Sequence, residues 1–247
     1  MVGVHAADPV SAVKRALNGY DEKPTIISVG KAAVKMMSAA NEALDDFVIN
    51  QIAKKNKKIG FLGTASKDDK TKINLFYKRF ENKNLELSHF NLTSRDVGFS
   101  RWLFDKDIIY IGGGNTAYML ELWEKNNLVS VFKEAYEKGI ILSGVSAGGV
   151  CWFDWIFSDS LGPGYKALKG INLISGSCTP HSSESNRMSQ YQLEIKNSKL
   201  PPGVAIDDGV AVLFVNGVAK EVCSSRDNCD AYFVDKNNKI SLKEYIK

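Results

Sequence analysis

Short apolar runs alternate along the chain with longer segments whose apolar residues recur every three or four positions. The apolar runs include residues 25–30 (TIISVG), 57–66, 107–114 and 140–146, and they predict buried strands. The intervening segments, such as AAVKMMSAANEALDDFVINQIAKK and DDKTKINLFYKRFENKN, have the spacing of amphipathic helices. Alternating helices and strands that are apolar throughout predict an α/β fold with a mostly parallel sheet flanked by helices.

The pattern changes after Gly162. Short segments of alternating polarity follow, GVAIDDGVAVLFVNG and DAYFVDKNNKISL, with turn signals at residues 207–209 and 216–217. They predict C-terminal β-hairpins. A helix is also predicted from Asp8-Pro9 to about Gly19, because Asp can cap it and Pro suits its first position. Neither an internal repeat nor a low-complexity linker interrupts the chain, so we predict a single α/β domain over residues 1–247.

Composition and charge narrow the functional classes. The 247 residues include 32 basic and 28 acidic ones, for a net charge of +4, too small an excess to indicate a nucleic-acid partner. No apolar run approaches the roughly 20 residues of a membrane span, and the N-terminus lacks the apolar core of a signal peptide. The four cysteines form no CxxC pair, which argues against a metal site. We therefore expect a cytoplasmic protein with reduced thiols and no metal.

In the segment GIILSGVSAGGVCWF a predicted strand ends at a serine that has small residues on both sides. Residues 144–148 fit the pattern G-x-S-x-G, which places a serine hydroxyl on a strained turn between a strand and a helix. Ser146 is thus the candidate nucleophile, and the N–H of Ala147 can point at a developing oxyanion. A second glycine-rich segment, residues 112–116 (GGGNT), is either a tight loop or backbone that approaches a ligand closely.

A serine nucleophile needs a base, and the chain has three histidines. His5 lies near the N-terminus, and His89 lies within the predicted strand LELSHFNL, where an outward-facing position is expected. His181 lies in the polar loop GSCTPHSSESNR and is the candidate base. A carboxylate should orient the imidazole, and the sequence leaves three candidates open, namely Asp154, Asp159 and Glu184.

Several segments match motifs of a known family and occur in the same order. They are KKIGFLGTASKDD, DIIYIGGGNTAYML, GVSAGGVCWF, SDS, GSCTPH and GVAIDDGVAV. Together they resemble the peptidase E family of serine dipeptidases, relatives of the cyanophycinases with a fold similar to class I glutamine amidotransferase domains. The resemblance covers roughly residues 57–235.

This resemblance implies a Ser-His-acid hydrolase of short peptides, best known for dipeptides with an N-terminal aspartate, that needs no cofactor. By motif, Ser146 corresponds to the nucleophile, His181 to the base and Asp159 to the acid. The loop that completes the oxyanion hole corresponds to Gly113, Gly114 and Asn115.

We also predict a substrate-binding role for Arg187 and Glu184, which lie in the same polar loop as His181. The planar fork of an arginine can pair both oxygens of a substrate carboxylate. The alternative is a solvated arginine at the start of the helix RMSQYQLEI.

Residues 1–56 depart from the family pattern. TIISVGKAAVKMMSAANEALDD resembles a stretch of the type-2 glycerate kinases, and we interpret residues 1–56 as an atypical first βα unit. Two alternative functions remain: a cyanophycinase-like hydrolase of β-aspartyl bonds, and an inactive binding protein of the same fold. The expected partner is a small peptide substrate, with no membrane or nucleic acid, and the protein is expected to be a monomer or a homodimer.

Overall fold

The structure is a computed structural model that describes residues 24–28, 39–94 and 97–246. The predicted helix at residues 8–19 lies outside the described residues, as do His5 and residues 29–38 of the predicted first βα unit. Within the described residues no helix is long and apolar enough to cross a membrane.

Strands and helices alternate through the first part of the described chain, as the apolar pattern predicts. The strands are β1 (Pro24–Ser28), β2 (Lys58–Leu62), β3 (Glu86–Phe90), β4 (Ile108–Ile111), β5 (Ile141–Gly144), β6 (Phe153–Ser158), β7 (Lys166–Lys169), β8 (Ile174–Thr179), β9 (Gly203–Ile206), β10 (Val210–Val215), β11 (Val218–Ser224), β12 (Ala231–Val234) and β13 (Lys239–Ser241). The helices are α1 (Ala39–Ile49), α2 (Lys70–Phe80), α3 (Phe99–Phe104), α4 (Thr116–Lys125), α5 (Leu128–Glu137), α6 (Ala147–Val150), α7 (Arg187–Lys196) and α8 (Leu242–Tyr245).

Strands β3, β2, β4 and β5 lie side by side in that order, and every neighbouring pair is parallel. Ile111 at the end of β4 pairs with Gly144 at the end of β5. The loops that follow these two strands therefore leave the sheet at the same edge, where ligands bind in open α/β sheets. This register brings the glycine loop and the serine turn together.

The second half of the chain contains both parallel and antiparallel pairs. Strand β8 lies parallel to β6 and to β9, and antiparallel strands β7, β12 and β13 extend this sheet. Strands β10 and β11 form the hairpin predicted at Asn216-Gly217, both of which have positive φ angles, as a tight hairpin turn requires. The predicted fold class, a mostly parallel sheet flanked by helices with C-terminal hairpins, is confirmed.

The turn at Asp207-Asp208-Gly209 differs from the prediction. It connects β9 with β10, which belong to different sheets, so it is not a hairpin turn. Strand β9 pairs with β8 and β12, and β10 pairs with β1 and β11. The polarity pattern predicts a turn here, but it does not reveal which strands pair on either side of it.

Apolar side chains cover both faces of the parallel strands. On one face, Phe61 and Tyr110 pack with Phe76 and Phe80 of α2. On the other, residues such as Ile111 pack with the two helices α4 and α5. Successive residues of a strand point to opposite faces, so continuously apolar strands are what a sheet covered on both sides needs.

Candidate active site

Ser146 occupies a strained turn between β5 and α6. Its backbone has φ 54° and ψ −116°, a conformation that costs a non-glycine residue about 1–3 kcal/mol and that recurs at functional sites. A Cβ on Gly144 would lie 2.4 Å from the Gly148 carbonyl oxygen, and one on Gly148 would lie 2.2 Å from the Ile111 carbonyl oxygen. Both flanking positions of the motif thus require glycine, because the turn crosses the end of β4 at backbone contact distance.

His181 faces this serine. Its Nε2 atom lies 2.8 Å from Ser146 Oγ although 35 positions separate the two residues. The His181 side chain is 9% exposed, so the contact is shielded from bulk water. His89, by contrast, is half-buried on β3 with its Nδ1 atom 2.8 Å from the Tyr77 hydroxyl, and it takes no part in this site.

The other ring nitrogen of His181 contacts Asp208. Nδ1 makes a short hydrogen bond with Asp208 Oδ1, so the acid beside the imidazole is Asp208 and not Asp159, Glu184 or Asp154. The sheet explains why: Thr179 of β8 pairs in parallel with Ala205 of β9, so the turn after β9 lies beside the loop after β8. The missed signal is an acidic pair, Asp207-Asp208, directly after the buried strand β9.

The glycine loop lies against the serine turn. A Cβ on Gly113 would lie 3.2 Å from Ser146 Cβ and 3.8 Å from its Oγ atom, so Gly113 has backbone next to the hydroxyl, whereas a Cβ on Gly114 would lie 2.2 Å from the Ala65 carbonyl oxygen. Ala147 is the first residue of α6, where a backbone N–H has no acceptor within the helix. The structure therefore places two of the four backbone positions predicted for an oxyanion hole, Gly113 and Ala147, beside Ser146.

Asn115 has a different place. Its N–H donates to the Ala65 carbonyl at 2.7 Å, and its Oδ1 accepts from the Tyr118 N–H at 2.8 Å and caps helix α4. Its Nδ2 donates to the Ser160 carbonyl at 3.1 Å. Asn115 thus fixes the end of the glycine loop instead of pointing a donor at Ser146, which corrects its predicted place.

Comparison with known proteins agrees with this geometry. The model of peptidase family S51 matches residues 26–222. The chain belongs to peptidase family S51. It is 36% identical over 214 residues to the uncharacterized peptidase YgaJ of Bacillus subtilis (strain 168), a match that covers 85% of this chain and 91% of that protein.

Two solved structures share the fold of this S51 chain. A peptidase from an acI-B1 actinobacterium superimposes with a TM-score of 0.66 at 15% identity, covering 90% of this chain and 94% of that one. A candidate peptidase E protein from Listeria monocytogenes EGD-e gives a TM-score of 0.58 at 16% identity, covering 83% and 99%. The resemblance read from the sequence motifs is therefore confirmed, and family membership makes the chain a peptidase and hence a hydrolase.

The residues predicted to bind substrate form a separate cluster. Arg187 is 1% exposed, with Nη1 3.1 Å from Glu184 Oε2 and Nη2 3.4 Å from Asp159 Oδ1. Its Nη1 also donates to the Pro180 carbonyl at 3.1 Å, and its guanidinium lies 4.4 Å from the centre of the Tyr165 ring. Two carboxylates share its charge, so Arg187 supports the residue that precedes His181 and is not the solvated arginine of the alternative interpretation.

Asp154, the remaining acid considered from the sequence, pairs with Lys169 at 3.1 Å. Its carboxylate is thus engaged on β6 with a lysine of the neighbouring strand β7. Within the described part of the chain, no group of three or more His, Cys, Asp or Glu side chains could hold a metal ion.

A buried aspartate ties the histidine loop to the Asp208 turn. Asp207 is 5% exposed, and its Oδ1 accepts from the Ser182 hydroxyl at 2.5 Å. Its Oδ2 accepts from the Asp230 N–H at 3.1 Å, and the Ser182 N–H donates to the Ile206 carbonyl at 3.0 Å. Asp207 therefore ties together the two chain segments that carry His181 and Asp208.

A cavity of about 320 Å³ opens beside the serine and the histidine. We call it the Ser146 cavity; its walls include Phe61, Phe76, Phe80, Tyr110, Ser146 and His181. Gly113 and Gly114 also line it, so the candidate nucleophile, base and oxyanion-binding backbone all face one space. Lys72 stands at its edge, where Nζ donates to the Gly113 carbonyl at 2.9 Å.

Proposed function

We propose that this S51 peptidase is a serine peptidase that hydrolyses short peptides with Ser146, His181 and Asp208 as its catalytic triad. The observation that carries the proposal is the unbroken chain of contacts from the Ser146 hydroxyl through both nitrogens of His181 to Asp208. Serine hydrolases of several unrelated folds share this arrangement, in which a base contacts the nucleophile and a third group orients the base.

The chemistry follows from this order of groups. His181 Nε2 accepts the hydroxyl proton as Ser146 Oγ bonds to the peptide carbonyl carbon. The carbonyl oxygen becomes an anion, and the buried imidazolium is stabilised by Asp208. The proton then passes to the leaving amine, the C–N bond breaks, and an acyl-serine remains. Water attacks this ester with His181 again as the base, releasing the acid and restoring the hydroxyl.

Backbone N–H groups supply the remaining stabilisation. Ala147 and the Gly113-Gly114 segment flank Ser146, and donors aimed at a developing oxyanion contribute about 3–4 kcal/mol each in comparable hydrolases. The strained φ and ψ of Ser146 hold the hydroxyl at the edge of the sheet, between the base and these donors.

The finer part of the proposal is a dipeptidase that prefers an N-terminal aspartate. The family resemblance supports it, and so does the cation Lys72, which borders the Ser146 cavity. Arg187, the residue first expected to read that aspartate, is instead engaged by Glu184 and Asp159. The test compares Asp-Leu with Asn-Leu, which differ in charge at nearly constant size. Equal values of kcat/KM would remove the aspartate preference and leave the serine peptidase intact.

A fluorophosphonate probe tests the triad itself. The parent should be labelled at Ser146, and Ser146→Ala should be folded, unlabelled and without peptidase activity, because loss of the nucleophile removes several orders of magnitude in rate. Failure of the parent to react would favour the inactive binding protein. Hydrolysis of poly-β-aspartyl substrates in preference to dipeptides would favour the cyanophycinase-like alternative, which uses the same residues.

A further inference from the structure

We propose that the Ser146 cavity is a specificity pocket for a large, uncharged apolar side chain, aromatic above all, on a residue that flanks the scissile bond. This inference rests on the proposed serine peptidase function and specifies its substrate class. An N-terminal aspartate would then lie at the mouth of the cavity, near Lys72, and not inside it.

The cavity is continuous with the reacting groups. Ser146 and His181 form part of its wall, as do Gly113 and Gly114. A peptide whose carbonyl carbon lies at Ser146 Oγ must therefore place one of its flanking side chains in or across this space. The volume of about 320 Å³ is at the lower end of ligand pockets, which suits one large side chain and not a long peptide.

The walls are aromatic and largely buried. The Phe61 and Phe76 rings stack with centroids 4.9 Å apart. Phe80 contacts Phe76 at 5.2 Å and Tyr110 at 5.9 Å. These four rings come from β2, β4 and α2, and Leu75 of α2 adds an apolar side chain that is 38% exposed at the cavity. A fifth ring packed among them removes apolar surface from water and gains the geometry-dependent attraction of aromatic pairs.

Two cations line the cavity, Lys72 at its edge and Arg79 in an ion pair. Arg79 is held by the buried carboxylate of Asp45, and the Lys72 ammonium donates to the Gly113 carbonyl. The Arg79–Asp45 pair carries no net charge when both groups are ionised, so it does not turn the aromatic interior into an anion site. A carboxylate placed among the four rings would lose its hydration without a matching partner. The interior therefore discriminates in favour of neutral apolar groups.

Boronic acids test the pocket without knowledge of the natural substrate. Ser146 Oγ adds to boron and forms a tetrahedral adduct, which blocks labelling by the fluorophosphonate probe. We expect 2-phenylethylboronic acid to protect Ser146 at concentrations about 10- to 100-fold lower than ethylboronic acid, the range expected for burial of one large apolar side chain. Equal potency of the two compounds would overturn the proposal.

A matched pair of leucine variants locates the effect. Leu75→Trp narrows the cavity and should abolish most of the advantage of the phenylethyl compound, and the rate of labelling by the fluorophosphonate probe shows whether the triad of the variant is intact. Leu193→Trp is the control, because Leu193 is 53% exposed on α7 and does not line the cavity. A phenylethyl advantage that survives Leu75→Trp would place the apolar site elsewhere and refute this assignment.

Dipeptides then identify which flanking residue occupies the pocket. Faster cleavage of Phe-Ala than of Ala-Ala assigns it to the residue before the scissile bond and removes the preference for an N-terminal aspartate, whereas faster cleavage of Ala-Phe assigns it to the residue after and is compatible with that preference. Equal rates for all three peptides, with Ser146 still reactive toward the probe, contradict the pocket but not the serine peptidase. Absence of both labelling and boronate protection contradicts the proposed function and the pocket with it.

Discussion

Replacement of Asp208 by asparagine gives the sharpest test of the triad, because it distinguishes Asp208 as the catalytic acid from Asp159, the acid that the family motif suggests. Asp208→Asn preserves size and removes only the charge and two acceptor lone pairs. The amide can donate to His181 Nδ1, and the ring proton would then lie on Nε2. A protonated Nε2 cannot accept the proton of the Ser146 hydroxyl. A buried imidazolium would also form without its counter-charge.

The size of the effect follows from the burial of these groups. The side chains of His181 and Asp208 are 9% and 21% exposed, so little water can replace the lost carboxylate. Breaking a buried charge pair costs about 3–5 kcal/mol, and each 1.36 kcal/mol in barrier height is tenfold in rate. We therefore expect kcat to fall about 10²- to 10⁴-fold, up to the loss that the same substitution causes in trypsin.

Asp159→Asn is the matched control. The Asp159 side chain is 69% exposed and lies 3.4 Å from Arg187, and exposed ion pairs contribute about 0–1 kcal/mol. Its kcat should stay within about fivefold of the parent. Both variants are measured by dipeptide hydrolysis and by the rate of fluorophosphonate labelling, which does not depend on the substrate. A large loss in Asp159→Asn, or near-parental rates in Asp208→Asn, would refute the assignment of the acid.

Three further outcomes are expected. Asp207→Asn should lower kcat about tenfold with little change in KM, because it weakens the hydrogen bond to Ser182 that spaces the histidine and aspartate segments. Restored activity in the double variant with Ser182→Asn would support this spacing role, and a change confined to KM would exclude it. Gly148→Ala should abolish labelling of Ser146, because its Cβ would lie 2.2 Å from a backbone oxygen, whereas a labelled, active variant would show that the turn can relax. Burial raises the pKa of Asp45 to about 6. Between about pH 4 and pH 6 the folded protein therefore keeps a proton that the unfolded chain has lost, so its stability should fall as the pH rises through this range. Asp45→Asn should flatten this part of a plot of melting temperature against pH.

Local features of the sequence determine the elements and the serine turn. Strands that are apolar throughout need cover on both faces, which limits the chain to a helix-covered, mostly parallel sheet. The glycines on either side of Ser146 are needed because the turn touches the end of β4. Asn216-Gly217 specifies its own hairpin through two positive φ angles. Each of these depends on a few neighbouring residues, so the pattern alone suffices to predict it.

The pairing of distant segments determines which acid lies beside His181 and where Arg187 binds. Asp208 meets His181 across 27 positions only because β8 and β9 lie side by side, and strand order is not visible in a polarity pattern. Arg187 looks like a substrate ligand in a polar loop, yet folding buries it against Glu184, Asp159 and Tyr165. The Ser146 cavity likewise forms where α2 crosses β2 and β4. A contact between distant segments depends on how whole strands and helices pack, whereas turns and helix ends follow from the steric limits of adjacent residues.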